Sequence, residues 1–170
     1  MKILIMGLPG SGKTTLAQEL VKQFRLAGRT IGHLNADEIR TIFNDWDFSE
    51  EGRIRQSMRM REIADGSTFE YIIADFVAPI PKMREIYGAD ITIWLDTIEK
   101  SRYDDTNTIF TRPEKYNFRV TTQNAPRWAA GETLATLADP GEQFQLALKV
   151  SKLRNVLGVR LYAGDGKCGG

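Results

Sequence analysis

Residues 7–14 read Gly-Leu-Pro-Gly-Ser-Gly-Lys-Thr and follow directly on the apolar run Lys2-Ile-Leu-Ile-Met6. The spacing GxxxxGK[ST] between a strand and a helix is that of a phosphate-binding loop. Backbone N–H groups of such a loop wrap a β-phosphate, helped by the positive end of the following helix. Gly7, Gly10 and Gly12 permit the close backbone approach that this needs. Lys13 is placed to reach the β- and γ-phosphates, and the Thr14 hydroxyl to hold Mg²⁺. A merely structural glycine-rich turn would not require Lys-Thr after its last glycine. ATP is therefore the donor expected on Gly7, Gly10, Ser11, Gly12, Lys13, Thr14 and Thr15, with Arg102 also assigned to ATP and Mg²⁺ as the cofactor.

Other residues suit the acceptor side of a phosphoryl transfer. Asp37 stands just past the end of a second apolar run, where it could orient or deprotonate an acceptor hydroxyl. Arg40, three residues on, shares its face if a helix begins there. An N-cap Asp with a solvated Arg is the plainer alternative. Arg53 and Gln56 share one face of a longer helix, with Arg59 close by, and an arginine fork matches phosphate or sulfate oxygens. Arg55 and Arg61 fall elsewhere and read as solvated. Asp75 ends an apolar strand, as a carboxylate holding a magnesium-bound water would; a turn-forming Asp reads almost equally well. Residues 103–119 are polar, aromatic and basic together, which suits a lid that excludes water and brings in cations such as Arg102, Arg112, Lys115 or Arg119.

These residues need elements to position them. Strands are expected over residues 2–6, 30–34, 71–74 and 91–95. Between the first two, Leu16, Leu20 and Phe24 recur at helical spacing, with Gly28 to end the helix. Ser49 followed by Glu50 and Glu51 caps a long helix running to about Gly66. Strands alternating with helices predict a doubly wound, mostly parallel α/β sheet of the P-loop NTPase fold, helices on both faces. Ligands then gather at the carboxyl ends of the strands. A single domain is expected over residues 1–162, with a lid near 103–120. Within it a helix is expected over 142–157 and an edge strand over 159–162, with residues 163–170 a disordered tail.

Composition narrows the classes. The chain has 170 residues, 42% hydrophobic and 26% charged, with a net charge of +1. That balance suits one soluble globular domain and gives no broad attraction to nucleic acid or membrane. No apolar run approaches a membrane span, and residues 1–6 lack a signal-peptide layout. Cys168 is the only cysteine and His33 the only histidine, so neither a disulfide within the chain nor a zinc cluster is expected. A reducing, cytoplasmic setting follows, and a homodimer is compatible with the sequence without being fixed by it. Asn44-Asp45-Trp46-Asp47 lacks the lysine of a guanine-reading Asn-Lys-x-Asp, which argues against a GTPase, and motor ATPases need far more chain.

Taken together these strings resemble the adenylyl-sulfate (APS) kinase family. Gly7 to Ala17 is very like that family's loop. Leu34-Asn-Ala-Asp-Glu-Ile-Arg40 falls where the family has Leu-Asp-Gly-Asp-x-(Val/Ile)-Arg. Phe48-Ser-Glu-Glu-Gly-Arg53 matches its Phe-Ser-x-x-x-Arg, and Phe76-Val-Ala-Pro79 its Phe-Ile-Ser-Pro. The resemblance covers roughly residues 1–96. It implies transfer of the γ-phosphoryl group of ATP to the 3′-hydroxyl of adenylyl sulfate, giving PAPS. It further implies that Asp37 serves the hydroxyl, that Arg40 and Arg53 bind the phosphosulfate, and that Phe48 packs on adenine. Gln56 stands where the family has Asn, and Phe76 and Val77 complete the acceptor wall. Ala78 replaces the family's serine, which excludes a phosphoserine there, and its lid strings are absent from residues 103–120. The Asn-x-Asp-x-x-Arg pattern of 35–40 also resembles 5′-hydroxyl polynucleotide kinases. A nucleotide-binding module without turnover is the non-enzymatic alternative.

Overall fold

The computed structural model describes residues 1–26 and 28–123. In chain order these form β1 (Lys2–Gly7), α1 (Lys13–Leu26), β2 (Ile31–Asn35), α2 (Ala36–Phe43) and α3 (Glu50–Asp65). There follow β3 (Tyr71–Asp75), α4 (Pro81–Tyr87), β4 (Ile91–Leu95), α5 (Asp104–Ile109) and β5 (Phe118–Val120). The strands make one parallel sheet in the order β2-β3-β1-β4-β5.

Both faces of the sheet are covered, which is why its strands read as continuous apolar runs rather than alternating ones. Side chains alternate across the pleat. Ile3 and Ile5 of β1 therefore join Leu16, Leu20 and Phe24 of α1 in one core. Leu4 and Met6 join Met60 of α3 and Met83 and Tyr87 of α4 in the other. The chain leaves β1 toward β2 on one side, and from β3 crosses to β4 on the other. A crevice opens at such a switch, here at the carboxyl end of β1.

Local chemistry sets the element ends. The Gly28 N–H (φ +73°) donates to the Arg25 carbonyl at 2.9 Å and closes α1. Ser49 caps α3 by accepting the Gly52 N–H at 3.2 Å, and Gly66 ends that helix, as its sequence predicts. Asn35, not Asp37, caps α2, and β2 lies one residue later than expected. The short helix α4, with Pro81 in its first turn and Gly88 at its end, has no counterpart in the sequence expectations.

The segment 103–120, expected as a lid, holds α5 and β5, and Phe118 and Val120 of β5 are core residues packed in the α1-side cluster. Arg119 is tied to Asp96 through Nε at 3.0 Å and Nη2 at 2.6 Å. After β3 the chain turns at Ala78, a buried alanine with φ +44°. Arg84 holds this turn: Nε donates to the Ala78 carbonyl at 2.9 Å, and Nη2 to those of Pro79, at 3.0 Å, and Thr111. Among the described residues no helix is long and apolar enough to cross a membrane. The helix expected at 142–157, the strand at 159–162, the tail and Trp128 lie outside the described residues.

Candidate active site

The phosphate-binding loop emerges from the middle strand of the sheet. Gly7 (φ +151°) must be glycine, because a Cβ there would lie 2.5 Å from the Leu95 carbonyl and 2.9 Å from Ser11 Oγ. Gly10 and Gly12 also take positive φ, +86° and +98°. The Ser11 N–H donates to the Leu8 carbonyl at 3.1 Å, and α1 starts when Leu16 N–H reaches the Gly12 carbonyl at 3.0 Å. Two outside contacts steady the loop: Thr97 Oγ1 donates to the Ser11 carbonyl and Gln123 Nε2 to the Gly10 carbonyl, each at 2.7 Å. Lys13 Nζ donates to the Leu8 carbonyl at 3.0 Å. Burial pushes its pKa down to about 8, against the pull of Asp75 and Asp37.

Beside the loop, β2 and β3 end together, with Asn35 and Asp75 in register. Asp75 is only 2% exposed. Its Oδ1 accepts from Asn35 Nδ2 at 2.8 Å, and the same Nδ2 donates to Thr14 Oγ1 at 3.2 Å. Asp75 Oδ2 lies 3.2 Å from His33 Nε2, within ion-pair range, yet neither atom makes a hydrogen bond. A buried carboxylate oxygen without a donor, near a threonine hydroxyl at a phosphate loop, is a hard-oxygen set that fits Mg²⁺ held jointly with nucleotide phosphates. Among the described residues there is no cluster of three or more His, Cys, Asp or Glu. Magnesium bound this way needs none, since it takes few protein ligands and keeps its waters.

The far wall is made by α2, α3 and the loop between them. Arg40 is 4% exposed and donates through Nη1 to the carbonyls of Asp45 and Asp47 at 2.9 and 3.1 Å. This explains its burial three residues after the exposed Asp37. Arg53 is 5% exposed; Nε donates to the Phe48 carbonyl at 2.8 Å, and Nη2 to Asp105 at 3.1 Å and Thr106 at 3.4 Å. Both guanidiniums lie over the Phe48 ring, 4.6 and 5.5 Å from its centroid. Desolvation lowers both pKa values, which marks two cations drawn out of water; Asp105 pairs with Arg53, while Asp45 and Asp37 offset the charge of Arg40 without an ion pair.

The 45–48 loop is clamped. Arg55 and Arg59 bond Asp45 at 2.8–3.0 Å, and those bonds hold its carboxyl well below the usual range. Asp47 rests so close to Gly52 that a Cβ there would meet its backbone oxygen at 2.4 Å. Arg55 and Arg61, expected to be solvated, are half-exposed and ion-paired, to Asp45 and Asp47 and to Asp65 respectively.

One cleft of about 990 Å³ gathers most of the sequence candidates. Gly10, Gly12, Lys13, Thr14 and Thr15 line it from the phosphate loop, and Arg40, Phe48, Arg53 and Gln56 from the far wall, with Asp37 close enough to Lys13 to act on its charge. Asp75, Phe76, Val77 and Arg102 lie between or around them. Gly7 and Ser11 are outside the lining, and Ser11 is fully buried beneath the loop. Gln56 has both ends of its amide engaged, Nε2 on the Ala36 carbonyl at 3.1 Å and Oε1 under Arg59 at 2.8 Å, so it ties α3 to α2. Arg102 bonds the Tyr103 hydroxyl at 2.7 Å.

Sequence reasoning did not single out Asn35, His33, Trp46, Tyr103 or Asp105 for this cleft or its border. For Asn35 a signal existed: Asn followed by acids at the second and third positions is a helix start. Asp105 had none, being 52 residues from its partner.

Comparisons with known proteins agree with this geometry. The family model "Adenylylsulphate kinase" matches residues 1–98, more than half of the chain. A cytidine diphosphoramidate kinase of Campylobacter jejuni is 31% identical over 85 residues, 50% of this chain and 49% of that one. An adenylyl-sulfate kinase of Bacteroides fragilis is 36% identical over 87 residues, 49% of this chain and 43% of that one. The chain thus spans about half the length of the curated relatives it matches, or less. The Mycobacterium tuberculosis APS kinase solved with AMPPNP and APS aligns with a TM-score of 0.65 at 18% identity, over 86% of this chain and 96% of that one. That likeness establishes the α/β P-loop NTPase fold, and the match over residues 1–98 places the chain in the adenylylsulphate kinase family.

Proposed function

We propose that the chain is an ATP-dependent kinase that phosphorylates the 3′-hydroxyl of adenylyl sulfate, yielding PAPS. The observation that carries this reading is one cleft holding a phosphate loop with Lys13 at one end and two buried arginines on Phe48 at the other. The loop's N–H groups and Lys13 bind the β- and γ-phosphates, whose charge favours the Lys13 ammonium that burial disfavours. Thr14 and Asp75 hold Mg²⁺, which neutralises charge on the phosphates when bound. Asp37 orients the acceptor hydroxyl and takes its proton. Arg40 and Arg53 bind the acceptor's anionic group, and Phe48 stacks on its base. Arg40 suits the task because, among the described residues, Nη1 is the one of its three nitrogens seen donating a hydrogen bond. Ala78 removes any phosphoenzyme route at that turn.

A cytidine acceptor is the second reading, favoured by the 31% identity to a cytidine diphosphoramidate kinase. Such an acceptor also joins a nucleoside hydroxyl to a charged phosphoryl group, so the same wall would serve it. The deciding experiment is transfer from radiolabelled MgATP to adenylyl sulfate, cytidine diphosphoramidate and a 5′-hydroxyl oligonucleotide in parallel. Labelled PAPS supports the proposal. Label on the cytidine compound alone moves the chain to the second reading, and label on the oligonucleotide alone refutes both. Nucleotide binding without label anywhere refutes turnover on these acceptors.

A further inference from the structure

Asn35 carries neither of the roles assigned above, yet it touches donor and acceptor sides together. Its Nδ2 donates to Asp75 Oδ1 at 2.8 Å and to Thr14 Oγ1 at 3.2 Å. Its Oδ1 accepts the N–H groups of Asp37 and Glu38, each at 3.0 Å. The partners fix the amide's orientation, because the backbone N–H groups of Asp37 and Glu38 only donate and so must face Oδ1. One side chain therefore joins the start of α1, the end of β3 and the first turn of α2.

Capping α2 explains only half of this. A serine, threonine or aspartate would cap about as well through its oxygen. The two Nδ2 contacts do nothing for the cap, and an aspartate in this place would set a second carboxylate against Asp75 at hydrogen-bond distance. Asparagine serves both ends at once.

We infer that Asn35 is a positioning residue for the magnesium corner, holding Thr14 and Asp75 in register with each other and with the turn that carries Asp37. The inference rests on the kinase reading only where that reading assigns Thr14 and Asp75 to magnesium. Asn35→Ser separates its two roles, keeping a capping oxygen and removing the amide donor. The measurement is ADP affinity by calorimetry, with Mg²⁺ and with EDTA, together with the melting temperature of each protein.

The enhancement of ADP binding by Mg²⁺ is expected to fall about tenfold in the variant, as for loss of a hydrogen bond to a charged group. Magnesium-free ADP affinity should stay as in the unaltered protein, while melting temperature should fall by a few degrees because the buried Asp75 Oδ1 loses its donor. An unchanged enhancement in Asn35→Ser overturns the inference. A fall in melting temperature with no selective loss of the magnesium effect overturns it as well, leaving Asn35 a cap alone. An unaltered protein whose ADP binding ignores Mg²⁺ removes the assignment of Thr14 and Asp75 along with the inference, and does so before any substitution is made.

Discussion

Replacing Lys13 by methionine should stabilise the nucleotide-free protein while abolishing its response to ADP. Burial pushes the Lys13 pKa from 10.5 to about 8. At about 1.4 kcal/mol per unit, keeping the ammonium charged at neutral pH destabilises the empty fold by at most on the order of 3 kcal/mol. The side chain is only partly buried and its Nζ bonds the Leu8 carbonyl, so removing it recovers less, about 1–2 kcal/mol. For a domain of this size that is roughly 2–8 °C of melting temperature. The pH dependence has a definite sign. The unfolded chain binds more protons than the folded one between pH of about 8 and 10.5, so the lysine's penalty is full below that window and fades as pH rises through it. Urea unfolding of both proteins near pH 7 and near pH 10 gives the comparison. Lys13→Met should be the more stable near pH 7, with the gap closing near pH 10. A variant less stable at pH 7, or a gap that ignores pH, would refute the argument.

Asp37→Ala should lower turnover on the labelled acceptor about a hundredfold or more while leaving ADP affinity and melting temperature unchanged, because Asn35 and not Asp37 caps α2. Normal turnover would remove Asp37 from the chemistry. Asp105→Asn should lower the acceptor KM by up to about fivefold, the scale of one exposed ion pair, since the Asp105 side chain is 66% exposed and occupies Arg53 when no anion is bound. A KM that does not move would show that acceptor and carboxylate do not compete.

What the sequence made legible was local. The phosphate loop, the Ser49 cap and the Gly28 and Gly66 stops each depend on residues a few positions apart, and each appears where its chemistry requires. The alternation of strands and helices gave the sheet. Arg40 was harder, because its burial depends on carbonyls at Asp45 and Asp47, in a loop whose shape is set by Arg55 and Arg59 from another helix. The Arg53–Asp105 pair joins elements far apart in the chain, and no periodicity announces it. Phe118–Val120 is too short a strand to show a pattern among its polar neighbours. Helix α4 was hidden by the prolines that bracket its start, Pro79 and Pro81.

Arg84, held by the carbonyls of Ala78, Pro79 and Thr111 and by no carboxylate among the described residues, has a kinetic consequence. Burial pushes its pKa down only to about 10, so it is fully charged at neutral pH. Arg40, likewise hydrogen-bonded to carbonyls, stands on the same side of the sheet, with its charge offset in part by Asp45 and Asp37. A chain of net charge +1 thus concentrates positive potential behind one end of its cleft, within low-dielectric walls that focus the field. Such a field should steer anions toward that end before any contact forms, and added salt, screening over about 10 Å at 0.1 M, should slow their arrival more than it hastens their escape.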